Sequence, residues 1–555
     1  MNSVFLAVFA LVWFALAYRF YGRFLARRLI VPQSKSTPAF SKQDGVDFYP
    51  AKKLVLFGHH FSSIAGAGPI LGPVLAVVAF GWGFGALWIL IGSVLIGAVH
   101  DYVCLMISVR EDGDSIPDIT GRIFGSRTRT IFMIFVWITL IFVIAVFAIA
   151  AAKSFVAKPD IVLPALGLIP LAMLFGWAIY RGGAPLVPAT ILALAAIAGL
   201  IFLGTRYPVI LPFSQENSIF FWCVILLAYG YVASVLPVWL LLQPRDYIAT
   251  GILIFGMGAG FLGLFITHPV INAPFLTGFV SEKQGPIWPM LFIIIACGAI
   301  SGFHSLVASG TSSKQLAAEK EGLSIGYGGM LTEGVLGILA LLAVGAGLKY
   351  SGVVNESGPP ALSSFFVDGG SGPIAAFAVG YGVLTEPLFG AVSALVGMTM
   401  LNAFVITSLD TTVRLTRFVA CELLQDRVKV LKNRWVAALA AVIPAAFLVF
   451  TGTERSLWPM FGAANQLLGT LALLVASGWL VKKKRPEKYT LYPAIFMLVT
   501  TLCALLWQGW KFLNSDPPKY SLCMTAVVLI VLAVFVSRRA LVSLGELKKK
   551  SSTPG

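Results

Sequence analysis

The feature that most constrains this chain is a long series of apolar runs, each about 17 to 25 residues long, separated by short polar connections. A helix of that length crosses the roughly 30 Å hydrocarbon core of a bilayer. In lipid every backbone N–H and C=O group needs an internal partner, so such runs form helices. The sequence therefore predicts an all-α polytopic membrane protein with about 15 transmembrane helices.

The composition agrees with this class. Only 12% of the 555 residues are charged, whereas soluble domains carry roughly 25%, which excludes a soluble module of useful size. The apolar runs predict spans at residues 4–20, 55–80, 86–109, 130–151, 160–179, 185–204, 218–241, 247–267, 287–309, 325–348, 374–406, 435–451, 457–480, 490–510 and 521–537. The span at 374–406 is overlong and carries Glu386-Pro387 near its middle, so it is predicted to be broken or re-entrant.

The net charge of +16 is a topology signal. Lys and Arg collect in alternate connections, and the basic clusters at 19–53, 414–434, 482–488 and 548–550 all fall on one side of the membrane. Basic loops stay in the cytoplasm. This distribution predicts an external N-terminus and a cytoplasmic C-terminus, with the lipid bilayer rather than nucleic acid as partner.

The second span contains the sequence GHHFSSIAGAGPILGP at residues 58–73. Glycine and proline at this density do not suit a continuous helix, and a break at membrane depth frees backbone groups that must line an enclosed polar cavity. Freed amides around Gly66 and Gly68 suit a carboxylate. The side chains predicted to contact the substrate here are His59, His60, Ser62 and Ser63. The alternative is that the small residues only allow close helix packing.

A second Gly- and Pro-interrupted run, YGYVASVLP, lies five spans later at residues 229–237. Because five is odd, the two interrupted spans cross in opposite senses, which is typical of an inverted repeat with paired broken helices. The further substrate-binding residues predicted on this basis are Tyr229, Tyr231 and Ser234, with His304 and Ser305 of the ninth span at the border of the site.

Ionisable groups inside the membrane are costly and mark ion pathways. The candidates for proton coupling are Asp101, His100, Glu333 and Glu386. The hydroxyls of Ser309, Thr311 and Ser312 at the cytoplasmic end of the ninth span could bind sodium instead, although helix capping explains them equally well. Asp410 is interpreted as a fixed ion pair with nearby Arg414 or Arg417.

Two other functional classes were weighed against transport. A membrane-embedded zinc enzyme would use His59, His60, His100 and His304, but none of the five histidines has H-E-x-x-H spacing. A channel or nutrient sensor could also use polar broken spans. The six cysteines have no C-x-x-C spacing and predict neither a disulfide framework nor a metal cluster. No cofactor is predicted, and metal binding by the histidines stays open.

Several long motifs resemble the carbon starvation protein A family of peptide transporters. They lie between about Tyr18 and about Leu471 and read GHHFSSIAGAGPILGPVLA, AVHDYVCLMIS, LPVWLLLQPRDY, ACGAISGFHSLVASGTSSKQLA and SLWPMFGAANQLLGTLA. The resemblance implies a bacterial inner-membrane protein that imports small peptides during nutrient starvation by proton- or cation-coupled symport. Related members import pyruvate, so a pyruvate or small-carboxylate symporter is the alternative.

The resemblance also implies the leucine-transporter type of fold, with two five-helix inverted repeats. On that basis the expected division is an N-terminal transmembrane helix at 1–30, a first repeat at 54–210, a second inverted repeat at 217–406, and C-terminal helices with a cytoplasmic tail at 407–555.

Overall fold

The computed structural model describes residues 1–350, 361–366, 372–424, 428–450 and 454–552, and these residues are mostly helical. Twelve described helices are long and apolar enough to cross a membrane: Ser3–Arg28, Trp82–Arg110, Ser126–Ala157, Pro159–Tyr180, Leu186–Arg206, Gln215–Val235, Leu242–Thr267, Glu319–Gly347, Gly372–Leu424, Met460–Lys482, Lys488–Leu513 and Tyr520–Lys549. The connections contain the short helices Pro38–Ser41 and Ile116–Phe124 and a hairpin of Val280–Ser281 with Gly285–Pro286. The end of the predicted tail, 553–555, lies outside the described residues.

Three further segments complete the set of predicted spans. Lys53–Ile64 and Gly68–Phe80 form one span that is bent by 40°. Ile287–Ile294 and Gly302–Gly310 form a second broken span, and Arg434–Phe450 is an apolar helix of 17 residues. These segments and the twelve helices above lie at the positions of the fifteen predicted spans; twelve of them, or thirteen with the bent pair, are long and apolar enough to cross a membrane.

The overlong span predicted at 374–406 consists of two helices. Gly372–Phe389 and Ser393–Leu424 are separated by a 3-10 turn at Gly390–Val392, so the expected break after Glu386-Pro387 is present. The second helix continues well past residue 406. Its later residues are polar, but protein neighbours bury them, as they do Asp410 and Arg414. A hydropathy pattern cannot distinguish such a buried polar helix from a loop.

Hydrogen bonds between connections sort the helix ends into two faces. On one, Ile271 N donates to Met1 O at 3.0 Å and Trp82 N donates to Pro274 O at 3.1 Å; we call this the N-face. On the other, Ala51 N donates to Gln315 O at 3.0 Å; we call this the C-face. The last helix ends beside the connection that precedes Lys488, where Lys548 pairs with Glu487. The described ends of the chain therefore lie on opposite faces, as an odd number of crossings requires.

The first broken span has the interruption that the sequence predicts. Its two helices meet at residues 65–67. Pro69, near the start of the second helix, has no N–H to donate to the carbonyl one turn earlier, so the first helix cannot continue regularly through the glycines, whereas Pro73 lies inside the second helix. The Ser408 hydroxyl donates to the Ser63 carbonyl at 3.1 Å, which satisfies one of the groups left free by the break.

The second predicted interruption is wrong. Residues 229–235 complete the continuous helix Gln215–Val235, and Pro237 lies in the turn that follows it. A Cβ atom on Gly230 would lie 3.2 Å from Val413, so this glycine serves close helix packing. The broken partner is the ninth span, in which residues 295–301 separate Ile287–Ile294 from Gly302–Gly310.

The two broken spans run antiparallel and touch at their breaks. The first begins at the C-face and ends at the N-face, whereas the second begins just after the N-face connection and ends at the C-face. A Cβ atom on Gly68 would lie 2.4 Å from Cys297 Sγ, and one on Gly72 would lie 2.5 Å from the Ile294 carbonyl oxygen. Paired broken helices of opposite sense are therefore present, with the ninth span in the place predicted for the seventh.

Candidate transport site

A cavity of about 1240 Å³ opens at the N-face and reaches both broken spans. Gln284 of the N-face hairpin lines its mouth. Its floor includes Leu71, which lies one turn into the helix that begins at Gly68, and Ile294, the last residue before the second break. We call this cavity the vestibule. Its floor lies directly beside the two breaks, at the depth where interrupted backbone can meet a solute.

The vestibule carries charges of both signs above an apolar floor. Lys153 and Lys158 line one part of its wall, and Glu216 lines another. Deeper residues, such as Val146 and Met398, are apolar. Most pockets for small ligands combine an apolar lining with a few polar groups that fix orientation. This one suits an amphipathic solute with separated charges.

Three aromatic rings separate the vestibule from the first break. Trp458 lines the vestibule, its ring centroid lies 5.7 Å from that of Phe461, and Phe461 lies 5.9 Å from Phe147. The Phe147 ring would lie 3.0 Å from a Cβ atom on Gly66. The three rings therefore form a packed row that extends from the vestibule wall to the first break.

Side chains from neighbouring helices satisfy the backbone of the second break. Asn465 accepts a hydrogen bond from Phe303 N at 2.8 Å and donates to Ser301 Oγ at 2.9 Å. Trp88 donates to the Ile295 carbonyl at 3.1 Å. Because unpaired backbone is costly at membrane depth, these bonds explain how a break of seven residues persists there.

A buried ionic network lies on the C-face side of the first break. Arg245 Nη2 donates to Asp246 at 2.7 Å and to Asp410 at 2.9 Å, so one guanidinium bridges two carboxylates. Tyr229 donates to Asp410 at 2.7 Å, and His59 Nδ1 lies 2.6 Å from Asp246. His59, Arg245 and the two carboxylates are each at most 1% exposed. We call this set the Arg245 network.

The Arg245 network reaches the first break through Ser63. The Ser63 hydroxyl donates to Asp246 at 3.4 Å, and its carbonyl accepts the bond from Ser408. Ser63 lies two residues before the break. Direct contacts therefore connect the first break to the buried charges of the Arg245 network.

A second polar set, the Asp101 cluster, lies beside the second break. Asp101 accepts hydrogen bonds from Nδ1 of His100 at 2.7 Å and from Nδ1 of His304 at 2.9 Å. His304 Nε2 faces Glu333 Oε2 at 3.2 Å. Cys297 completes the set: its thiol, one His304 ring nitrogen and one Glu333 oxygen all lie within 4.8 Å of one another.

The remaining predicted residues have local roles. His60 pairs with Ser312 at 2.8 Å, and the buried Ser62 hydroxyl has no partner among the described residues. Tyr231 packs on Trp435. Four hydroxyls donate to backbone carbonyls three or four residues earlier in the chain: Ser234, Ser305, Ser309 and Thr311.

Two expectations about charged groups need correction. Glu386 is exposed and belongs to neither polar set. Asp410 is an ion-pair partner, but of Arg245 rather than of Arg414 or Arg417; Arg414 instead pairs with Asp47 at 2.7 Å. Arg414 lies one turn beyond Asp410 on the same helix, and its guanidinium contacts Asp47 of the C-face connection, while Asp410 contacts Arg245.

Sequence reasoning missed Arg245, Asp246, Asn465 and the role of Cys297. The sequence predicts that the eighth span begins at residue 247, which leaves Arg245 and Asp246 in a loop. The helix begins at Leu242. An Arg-Asp pair directly before an apolar run was the available signal. Asn465 stands within an apolar run, where an amide is costly unless bonded.

Comparison with known proteins is consistent with this geometry. The family model for carbon starvation protein CstA matches residues 2–358 and 361–504. The chain belongs to the carbon starvation protein CstA family.

The CstA relatives cover most of the chain. The peptide transporter CstA of Campylobacter jejuni is 33% identical, with 89% of this chain and 79% of the relative aligned. The peptide transporter CstA of Escherichia coli is also 33% identical, over 87% of this chain and 78% of the relative. The pyruvate/proton symporter BtsT of Escherichia coli is 31% identical, over 89% and 80%.

A solved structure has a similar fold. The crystal structure of the Eremococcus coleocola manganese transporter aligns with a TM-score of 0.53 at 14% identity, covering 91% of this chain and 99% of that one. Family and fold together identify a multi-pass membrane transporter.

Proposed function

We propose that this CstA family member imports small peptides across the bacterial inner membrane and couples their entry to protons. The observation that carries the proposal is the vestibule floor, where residues of both broken spans, among them Leu71 and Ile294, face a cavity open at the N-face. A site that is reached from one side and lies at paired breaks suits alternating access.

The N-face is the external face in this proposal. The connections that bear the basic clusters, including residues 19–53 and the tail at 548–550, lie at the C-face, and basic connections stay in the cytoplasm. The vestibule then opens outward, and the described arrangement is the one that receives substrate from outside.

A peptide fits the vestibule better than pyruvate does. A free peptide carries an ammonium and a carboxylate, and the wall supplies Glu216 for the first and Lys158 for the second. Pyruvate has only the carboxylate and would leave Glu216 without a counterpart. The two named CstA relatives are peptide transporters. When the rings at Phe147 and Phe461 separate, the carboxylate would advance to the helix N-terminus at Gly68.

Proton coupling is assigned to the His59–Asp246 pair. This pair belongs to the Arg245 network, and its carboxylate accepts both the bond from Ser63 at the break and the bond from Arg245, so a proton gained there weakens the hold of Arg245 on the C-face side. Opening of that side would then follow loading of both substrate and proton. The BtsT relative, named as a pyruvate/proton symporter, supports a proton as the coupling ion.

The substrate assignment is tested by uptake into proteoliposomes of labelled dialanine, N-acetyl-dialanine and pyruvate. Glu216→Gln should raise KM for dialanine severalfold and leave KM for the acetylated peptide unchanged, because only the free peptide has an ammonium. Glu282→Gln, an exposed carboxylate of the N-face hairpin outside the vestibule lining, is the control. Saturable pyruvate uptake without peptide uptake would replace the peptide by the small carboxylate.

The coupling assignment is tested with His59→Asn. Asparagine places a donor where Nδ1 lies, so the bond to Asp246 is kept while the ring that takes a proton is lost. We expect proton-driven accumulation to stop while counterflow exchange continues. His268→Asn is the matched control, since His268 is exposed in the N-face connection and its left-handed backbone, with φ of 46°, tolerates Asn. Uptake driven by a sodium gradient alone would show that coupling is assigned to the wrong ion.

A further inference from the structure

The Asp101 cluster contains three possible metal ligands that have no part in the proposed proton coupling. Cys297, His304 and Glu333 come from the second broken span and from the helix Glu319–Gly347, and each can offer one atom to a common point. The relevant nitrogen of His304 and the nearest Glu333 oxygen are 3.2 Å apart. Two ligands held about 2.0 to 2.3 Å from a tetrahedral ion stand about 3.3 to 3.6 Å from each other.

In the described part of the chain, two of the three side chains lack hydrogen bonds at the atoms that would meet the ion, whereas Cys297 Sγ contacts Ser301 Oγ at 3.6 Å and Asn465 Nδ2 at 3.5 Å. Among the described residues, His304 Nε2 and both carboxylate oxygens of Glu333 have no hydrogen bond, although both side chains are 0% exposed. Buried polar atoms are almost always bonded in native proteins. Three such atoms that converge beside a thiol indicate a missing ligand.

The surroundings of His304 match those of a metal-binding histidine. Asp101 accepts the hydrogen bond from Nδ1, which fixes the ring orientation and leaves Nε2 as the lone-pair nitrogen that faces Glu333. His100 donates to the other oxygen of Asp101 at 2.7 Å and holds the carboxylate in place. Histidines that bind metals usually donate their second ring N–H to a carboxylate in this way.

We propose that Cys297, His304 and Glu333 bind one transition-metal ion of the zinc class, with Asp101 as a positioning residue. Sulfur, imidazole and carboxylate ligands together favour zinc or cobalt over magnesium or calcium. Three protein ligands leave one tetrahedral position open, and the Cys297 thiol releases its proton to solvent on binding. The ion holds the second broken span to the helix Glu319–Gly347 directly beside the break.

An entry route follows from the position of Cys297. Cys297 follows Ile294, a residue of the vestibule floor, by three positions. It contacts Gly68 across the two breaks. An ion that reaches the vestibule therefore meets the thiol first whenever the breaks separate.

The test loads the purified full-length protein, produced with a tag that lacks histidine, with Co²⁺ and then removes loosely held ions with a weak chelator. We expect one retained cobalt per chain, with a thiolate-to-cobalt charge-transfer band in the near ultraviolet that added Zn²⁺ displaces. Cys297→Ser should abolish the band, whereas Cys104→Ser, which alters another buried thiol, should keep it. Asp101→Asn should weaken retention by about tenfold to hundredfold.

Absence of retained cobalt in the natural sequence, or an unchanged band in Cys297→Ser, would overturn the site. Thermal unfolding provides a second readout that does not need a variant, because Zn²⁺ should raise the Tm of the natural protein. An unchanged Tm at saturating Zn²⁺ would also count against the proposal. The site does not depend on the proposed coupling: His59→Asn should retain cobalt normally even where it has lost proton-driven uptake.

Discussion

The contact between the two breaks is so close that Gly68→Ala should disrupt it. An added Cβ atom would lie 2.4 Å from Cys297 Sγ and 2.6 Å from Cys297 Cβ. Ordinary contacts between such atoms are about 3.5 to 4.0 Å, so one broken span must move by about 1 Å. Overpacking of this size costs about 1 to 3 kcal/mol. We therefore expect Gly68→Ala to lower the free energy of unfolding by this amount and to reduce the initial rate of peptide uptake.

Two further variants at the same break provide a compensating substitution and a control. Cys297→Gly removes both opposing side-chain atoms and leaves the Cys297 Cα 3.9 Å from the added Cβ atom. In a Cys297→Gly background, Gly68→Ala should therefore lower the free energy of unfolding much less than it does in the natural sequence. Gly298→Ala is the control, because its Cβ atom would meet its nearest neighbour at 3.5 Å.

Equilibrium unfolding in mixed detergent micelles and uptake into proteoliposomes measure the two effects. The reasoning fails if Gly68→Ala and Gly298→Ala behave alike, or if Cys297→Gly gives no relief. Either result would mean that the first and second broken spans do not meet at these residues.

Three further predictions concern the groups around the breaks. Arg245→Met should lower the free energy of unfolding by about 3 to 5 kcal/mol, because it leaves buried Asp246 and Asp410 without their cation. Adding Asp410→Leu should restore much of this loss, so equal unfolding free energies for the single and double variants would refute the prediction. Asn465→Leu should cost about 1 to 3 kcal/mol and speed hydrogen exchange at the Phe303 amide, whereas unchanged exchange would mean that Asn465 does not cap the break. At the C-face, burial alone would raise the pKa of Asp47, but Arg414 and Arg417 hold it below its usual value of 3.8. A carboxylate whose pKa is lowered by folding stabilises the protein above its usual pKa, and this stability is lost as the pH falls through the lowered pKa. Asp47→Asn should therefore reduce the free energy of unfolding at neutral pH, by an amount that shrinks in acid. A reduction that does not depend on pH would contradict the pairing.

The sequence predicts the architecture well because lipid leaves few choices. Apolar length fixes the number of spans, and Pro69, near the start of the second helix, locates the first break almost to the residue. The same reasoning failed at residues 229–237, where Pro237 terminates a helix instead of interrupting one. It also missed the break at 295–301, where no proline occurs and side chains such as Asn465 stabilise the irregular backbone.

The candidate site was harder to predict than the fold because it is assembled from distant segments. His59, Tyr229 and Asp410 are recognisable as intramembrane polar groups, but only the folded chain brings them to Arg245. His304 lies with Cys297 and Glu333, and its place at the border of the substrate site stays a prediction. The division into repeats at 54–210 and 217–406 stays a prediction.

The two barriers around the breaks differ in kind, and this difference bears on how transport is ordered. On the N-face side, the rings of Phe147 and Phe461 close the route by packing alone, so rotation of side chains can open it at modest cost. On the C-face side, Arg245 is bonded to two buried carboxylates, and separating those charges before water arrives costs several kcal/mol. A proton at Asp246 or His59 would lower that cost, whereas it would leave the aromatic barrier unaffected. Under the proposed function, substrate can therefore reach the breaks without a proton, but release to the C-face requires one, which is the order that symport needs to avoid leak.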